Sequence, residues 1–140
     1  MMDPSLPLTV TLEVRDRCLC LHVQRAARVL ARRFDDALRP FGVTNGQFSL
    51  LMSLNLADLL GMDRTTLTAA LKPLERKGLV TAQADKADRR ARRLHLTDAG
   101  RSVLAQALPT WRATHDAVDA ALAPATPQDL RDGLTALAGA

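Results

Sequence analysis

The 140-residue chain has no tyrosine and four aromatic side chains, three Phe and one Trp. Aromatic residues favour strands, so this poverty argues against a sheet-rich domain. Cysteine is nearly as scarce. Cys18 and Cys20 are the only two, too few for a disulfide framework, and the expected setting is a reducing cytoplasm. On one continuous helix, residues i and i+2 point about 200° apart, so these two are not expected to bond to each other. Long apolar runs are missing as well. The longest uncharged stretch, residues 40–57, carries Thr44, Asn45, Gln47, Ser49, Ser53 and Asn55, which excludes it as a membrane span. The N-terminus (MMDPSLPLTV) lacks a basic stretch followed by an apolar one, so no secretory leader is expected. There is no Gly-rich phosphate loop, no nucleophile elbow, and no His with an acidic partner near a Ser or Cys, so an enzyme is not expected.

What is present is leucine and alanine, 25 and 23 residues respectively. Both lose little on entering a helix, so the fold class is mainly α. The length corresponds to one domain with a core of its own. The 19 basic residues exceed the 15 acidic ones by four, and only three of the 19 are Lys. Arg makes planar, forked contacts to phosphate and carboxylate. The excess is local: residues 72–101 hold nine basic and four acidic groups, and residues 102–140 are net acidic. A basic block of this kind on a folded domain is either a solvated face or the footprint of a nucleic-acid surface.

Periodicity organises the rest. Leu19, Val23, Ala26, Leu30, Phe34 and Leu38 recur at three- and four-residue steps, which predicts one long helix over residues 12–38, ended by Pro40 and Gly42. Thr44 and Gln47 form a capping box for a second helix whose buried face is Phe48, Leu51 and Met52. Residues 56–63 then predict a short helix, a stop at Gly61 and an N-cap at Asp63, the pattern of a helix-turn-helix. The helix after Asp63 turns Leu67, Ala70, Leu71 and Leu74 inward. Its other side carries Arg64, Thr65, Thr68, Ala69 and Lys72, small or hydrogen-bonding residues suited to reading base edges. Pro73 predicts a kink there. Two strands, residues 79–84 and 92–97, flank a charged loop and form a β-hairpin wing with Leu94 and Leu96 inward and Arg93 and His95 outward. Arginines on such a tip are attracted to a narrow minor groove. Thr97 caps a helix reaching about residue 122, and Thr126 with Pro127 starts the last one. The domain organisation is an arm and dimerisation helix over 1–42, a DNA-binding lobe over 43–100 and dimerisation helices over 101–140.

Leu60 to Leu67, Leu74 to Val80, Asp88 to Arg90 and Leu96 to Gly100 together resemble, in order and spacing, the MarR (multiple-antibiotic-resistance regulator) family of winged helix-turn-helix regulators. The resemblance implies a homodimer with intertwined end helices and double-stranded DNA as partner. It places Arg64, Thr65, Thr66, Thr68 and Lys72 toward the major groove. Asp88 and Arg90 match the family's wing motif, with Arg89 and Arg92 as further wing contacts. It also implies repression relieved by a small aromatic or anionic effector, in a pocket that includes His22, Arg25, Trp111 and His115. There is one departure. Members usually carry about ten more residues after the second helix, whereas six residues separate Asn55 from Met62 here, fewer than the roughly eight a supporting helix needs. Either the motif is truncated or those residues are left out between Asn55 and Leu56, and the omission is the expectation.

Two alternatives stand beside this reading. Cys18 or Cys20 would make the same fold a thiol-based peroxide sensor, with Arg15 and Arg17 lowering a thiol pKa. A helical protein-binding adaptor would explain the end helices but not the basic wing. Cys18 and His22 have ligand spacing and could share a metal with His115, but zinc needs three or four ligands, so no metal or cofactor is expected.

Overall fold

The computed structural model describes residues 6–59, 64–65, 71–84, 86–87 and 92–139, with Arg64, Thr65 and Arg92 described by their backbone alone. The chain divides within one helix into two compact units, Met1–Arg33 and Phe34–Ala140.

The first unit holds α1 (Leu8–Arg17) and most of α2 (Leu19–Leu38). The single helix expected over residues 12–38 is therefore broken. Cys18 is extended (φ −71°, ψ 105°); it ends α1 by donating its N–H to the Val14 carbonyl at 3.0 Å. Thr9, Val10, Thr11 and Val14 give α1 four β-branched residues, each of which loses χ1 freedom in a helix. No residue of α1 is buried to offset that. In α2 the expected stripe is real, but Leu19, Val23 and Leu30 are exposed, and burial begins only at Phe34 and Leu38.

The second unit contains the core. A 3₁₀ turn (Arg39–Phe41) closes on Gly42, whose φ of 74° is a left-handed conformation that favours glycine. The α3 helix (Asn45–Leu59) starts at the expected capping box: Gln47 N–H donates to Thr44 Oγ1 and Thr44 N–H to Gln47 Oε1, both at 3.1 Å. It runs unbroken through Asn55 and Leu56 to Leu59, because no Gly or Pro interrupts 47–59. Of the separate short helix expected at 56–63, residues 56–59 continue α3, and residues 60–63, with the expected stop at Gly61 and N-cap at Asp63, lie outside the described residues.

The β1 strand (Arg64–Thr65) follows, then α4 (Leu71–Arg76), β2 (Val80–Ala84), β3 (Arg92–Leu96), α5 (Asp98–Ala121) and α6 (Pro127–Gly139). Pro73 lies in α4, and residues 66–70, which precede α4 and bear on the kink expected at Pro73, are outside the described residues. Gly78, at φ 73°, ends α4, and Leu79 N–H returns to the Leu74 carbonyl at 3.0 Å. The three strands form an antiparallel sheet in the order β1-β3-β2. Thr97 and Thr126 cap α5 and α6 as expected, accepting from Gly100 N–H at 3.0 Å and Asp129 N–H at 3.1 Å.

Leu51 and Leu54 of α3, Leu71 and Leu74 of α4, Leu94 and Leu96 of β3 and Leu104 of α5 converge on one buried cluster. Truncating such a leucine to Ala costs about 2–5 kcal/mol, so this cluster fixes α4 and the β2–β3 hairpin against α3 and α5.

Candidate nucleic-acid interface

The surface of interest is built on α4 and the hairpin that follows it. In α4, Leu71 and Leu74 face the core and Lys72 and Arg76 are exposed. Lys77, just beyond, donates from Nζ to the Gly42 carbonyl at 2.5 Å, so this cation braces the loop before α3. In β3 the alternation is as expected for Leu94 and Leu96, which are buried. Its register sets His95 opposite Thr81 and Arg92 opposite Ala84.

The structure separates the residues expected in the major groove. Lys72 is exposed on α4, but Arg64 and Thr65 are not helical. They form β1, paired with β3 at Arg64↔Leu94 and Thr65↔Arg93. The physical reason is the short connection: only residues 60–63 separate α3 from β1. A strand here satisfies backbone groups along the outer edge of β3 that would otherwise be unpaired. Thr66 and Thr68 lie outside the described residues, as do Asp88, Arg89 and Arg90 of the wing.

Sequence reading missed a polar junction beneath the hairpin. Asp58, near the end of α3, is 17% exposed. Its Oδ1 lies 3.4 Å from His95 Nδ1, and its Oδ2 accepts from Leu96 N–H at 3.3 Å and from Arg101 Nη2 at 3.4 Å. Arg101 also reaches Asp98 at 3.1 Å. One carboxylate therefore joins α3, β3 and α5. Its partners are 37, 38 and 43 residues away, so no local pattern could have shown it. His95, expected to point outward, is turned partly into this junction.

The residues expected to hold an effector fall in two places. In the first unit, His22 and Arg25 line a shallow pocket of about 200 Å³ with Arg15, Asp16 and Leu21. The His22 ring donates from Nδ1 to the Cys18 carbonyl at 2.8 Å. In the second unit, Trp111 and His115 belong to a ladder of rings. His115 lies 4.6 Å from Phe34 and 4.3 Å from Trp111 between centroids, and Trp111 stacks on Phe48 at 6.0 Å. Cys18 is half-buried and Cys20 exposed, both as free thiols. Because Cys18 sits in extended backbone between two helices, the helical geometry that argued against pairing does not hold. No group of three metal-ligating side chains occurs among the described residues, and none of their helices is long and apolar enough to cross a membrane.

Residues 43–91 match a family model described as MarR family. Among solved structures, the chain is similar to the Mycobacterium tuberculosis transcriptional regulator MosR in complex with DNA, at 39% identity and a TM-score of 0.74. That match covers 86% of this chain and 93% of the other. It is similar to a transcriptional repressor, CouR, bound to a 23-mer DNA duplex, at 28% identity, TM-score 0.69 and coverage of 90% and 93%. CouR bound to p-coumaroyl-CoA matches at 25% identity, TM-score 0.70 and coverage of 89% and 94%.

Proposed function

Since this chain belongs to the MarR family, whose members are transcriptional regulators rather than enzymes, we propose that it acts as a homodimeric repressor on a pseudo-palindromic DNA site and is released by a small-molecule effector. The observation that carries the DNA reading is the 39% identity, over 86% of the chain, to a regulator solved on DNA. Lys72 and Arg76, exposed on α4, supply phosphate contacts, and Thr66 and Thr68 read bases beside them. Arg89, Arg90 and Arg92 enter the minor groove from the wing, with Asp88 orienting Arg90. The exposed leucine and valine stripe of α2, with Leu130, Leu134 and Leu137 exposed on α6, supports a second copy of the chain as the dimer partner. An apolar surface of this kind on a monomer marks an interface.

The test is the salt dependence of binding to duplexes from the protein's own upstream region. Each phosphate contact steepens the fall of log K with log salt by about 0.9. A steep slope with preference for one duplex is the expected result. Flat, weak binding to every duplex would instead favour a protein-binding adaptor.

A second reading has one observation in its favour. The helix break at Cys18 frees that thiol from the i, i+2 geometry with Cys20, so a thiol switch in the first unit is sterically open. Hydroperoxide should then release DNA from the wild type but not from Cys18→Ser or Cys20→Ser; unchanged release in both variants sinks it.

A further inference from the structure

Two kinds of force hold β3. Leu94 and Leu96 are buried in the core, and apolar burial is non-directional. It keeps the strand in place without fixing its tilt; directional bonds do that. On one side β3 pairs with β2 along all its residues, from Arg92 to Leu96. On the other, β1 covers only Arg93 and Leu94. Leu96, two residues on, gives its N–H instead to Asp58 Oδ2 at 3.3 Å, and Asp58 Oδ1 lies 3.4 Å from His95 Nδ1. A carboxylate from the end of α3 thus takes over the edge of β3 where β1 stops. Arg101, near the start of α5, reaches Oδ2 at 3.4 Å. Asp58 is mostly buried, and a charge held there needs such a counter-ion.

We propose that Asp58 is a positioning residue for DNA binding: it sets the angle at which the β2–β3 hairpin meets the minor groove, with Arg101 as its counter-ion. The proposal rests on the reading of the chain as a DNA-binding regulator whose wing enters that groove. Asp58 grips β3 at its Leu96 end, and the opposite end, at Arg92, leads into the wing. Four residues of strand span about 13 Å, so a tilt of about 10° at Leu96 displaces the backbone of Arg92 by about 2 Å. A hydrogen bond tolerates a spread of only about 0.5 Å. In contrast, α4 is anchored through Leu71 and Leu74, and none of the three partners of Asp58 lies on it. Loss of the carboxylate therefore disturbs minor-groove contacts and leaves α4 where it is.

The experiment uses the full chain on duplexes from its own upstream region, with dimethyl sulfate protection read at guanine N7 in the major groove and adenine N3 in the minor groove. Asp58→Ala should lose adenine N3 protection, keep guanine N7 protection and bind about tenfold or more weakly, the scale of losing a groove contact. Asp58→Asn, closer in shape, should move in the same direction and serves if the Ala variant does not fold. Arg101→Gln should add nothing to Asp58→Ala, because it acts through the carboxylate. In the free protein, amide residual dipolar couplings of β2 and β3 against those of α5 should show a changed hairpin angle in Asp58→Ala. Wild-type protection and couplings in the folded variants, equal loss in both grooves, or a further loss in the double variant each overturns the proposal. If the wild type protects neither groove, the regulator reading falls, and the couplings alone decide whether Asp58 sets the hairpin.

Discussion

The backbone carbonyl of Leu79 occupies the space that a side chain on Gly100 would need. A Cβ built on Gly100 would also meet Leu96 Cδ1 at 2.7 Å. The first turn of α5 thus presses directly on the junction of α4 with the hairpin, and the same Leu79 carbonyl accepts the Thr97 N–H at 3.1 Å. Gly100→Ala should destabilise the protein by about 1–3 kcal/mol, the range for overpacking, because backbone must move rather than a flexible tip. Gly133→Ala, in α6 with nothing within 4 Å of the added methyl, should instead gain up to about 1 kcal/mol. Paired denaturant unfolding curves check both signs.

Asp58→Ala removes the acceptor for Leu96 N–H and the partner of Arg101. A loss of about 1–3 kcal/mol is expected, as for a partly buried hydrogen-bonding group whose partners are left unpaired. The hydrogen exchange of the Leu96 amide should accelerate beyond the change in global stability. Equal protection in the variant would mean that the carboxylate does not hold β3.

Trp111 is the sole tryptophan, so its fluorescence reports on the ring ladder alone. His115→Ala should change its emission and cost about 1 kcal/mol, the scale of an aromatic contact. Phe48→Ala, which empties a site 3% exposed, should cost about 3–5 kcal/mol. Emission unchanged in His115→Ala would exclude the Trp111–His115 contact.

Lys72→Ala should lower affinity for all duplexes alike and reduce the salt slope by about 1, as loss of one phosphate contact does. Arg90→Ala should likewise weaken every sequence. Thr68→Ala should instead alter preference among sequences, read by selection from a randomised site. Unaltered selectivity would remove Thr68 from the reading surface.

Val23→Asp places a charge in the exposed apolar stripe of α2. The variant should sediment as a monomer and lose most specific DNA affinity, because two half-sites are no longer held by one particle. A variant that stays dimeric would move the interface away from this stripe.

Much of this architecture was legible locally. The caps at Thr44, Thr97 and Thr126, the stop at Gly78 and the inward Leu94 and Leu96 are set by interactions within about four residues or by period-two alternation. Other features were not legible. The break at Cys18 has no proline or glycine to announce it. The fate of Arg64 and Thr65 depended on which backbone groups the β3 edge left open. The inward helical positions Leu71 and Leu74 are met in α4, while Leu67 and Ala70 of the same pattern lie outside the described residues.

The sequence by itself determined the helical character, the hairpin, the basic block over residues 72–101 and the order of motifs that marks the family, because composition, periodicity and capping are properties of neighbouring residues. Only the tertiary structure decided that α3 continues through residues 56–59, that Arg64 and Thr65 join the sheet, and that Asp58 ties His95 and Arg101 into one junction. The last two outcomes depend on contacts between residues 28 to 43 positions apart along the chain, and the side chains and backbone groups involved acquire their partners only when the core has closed.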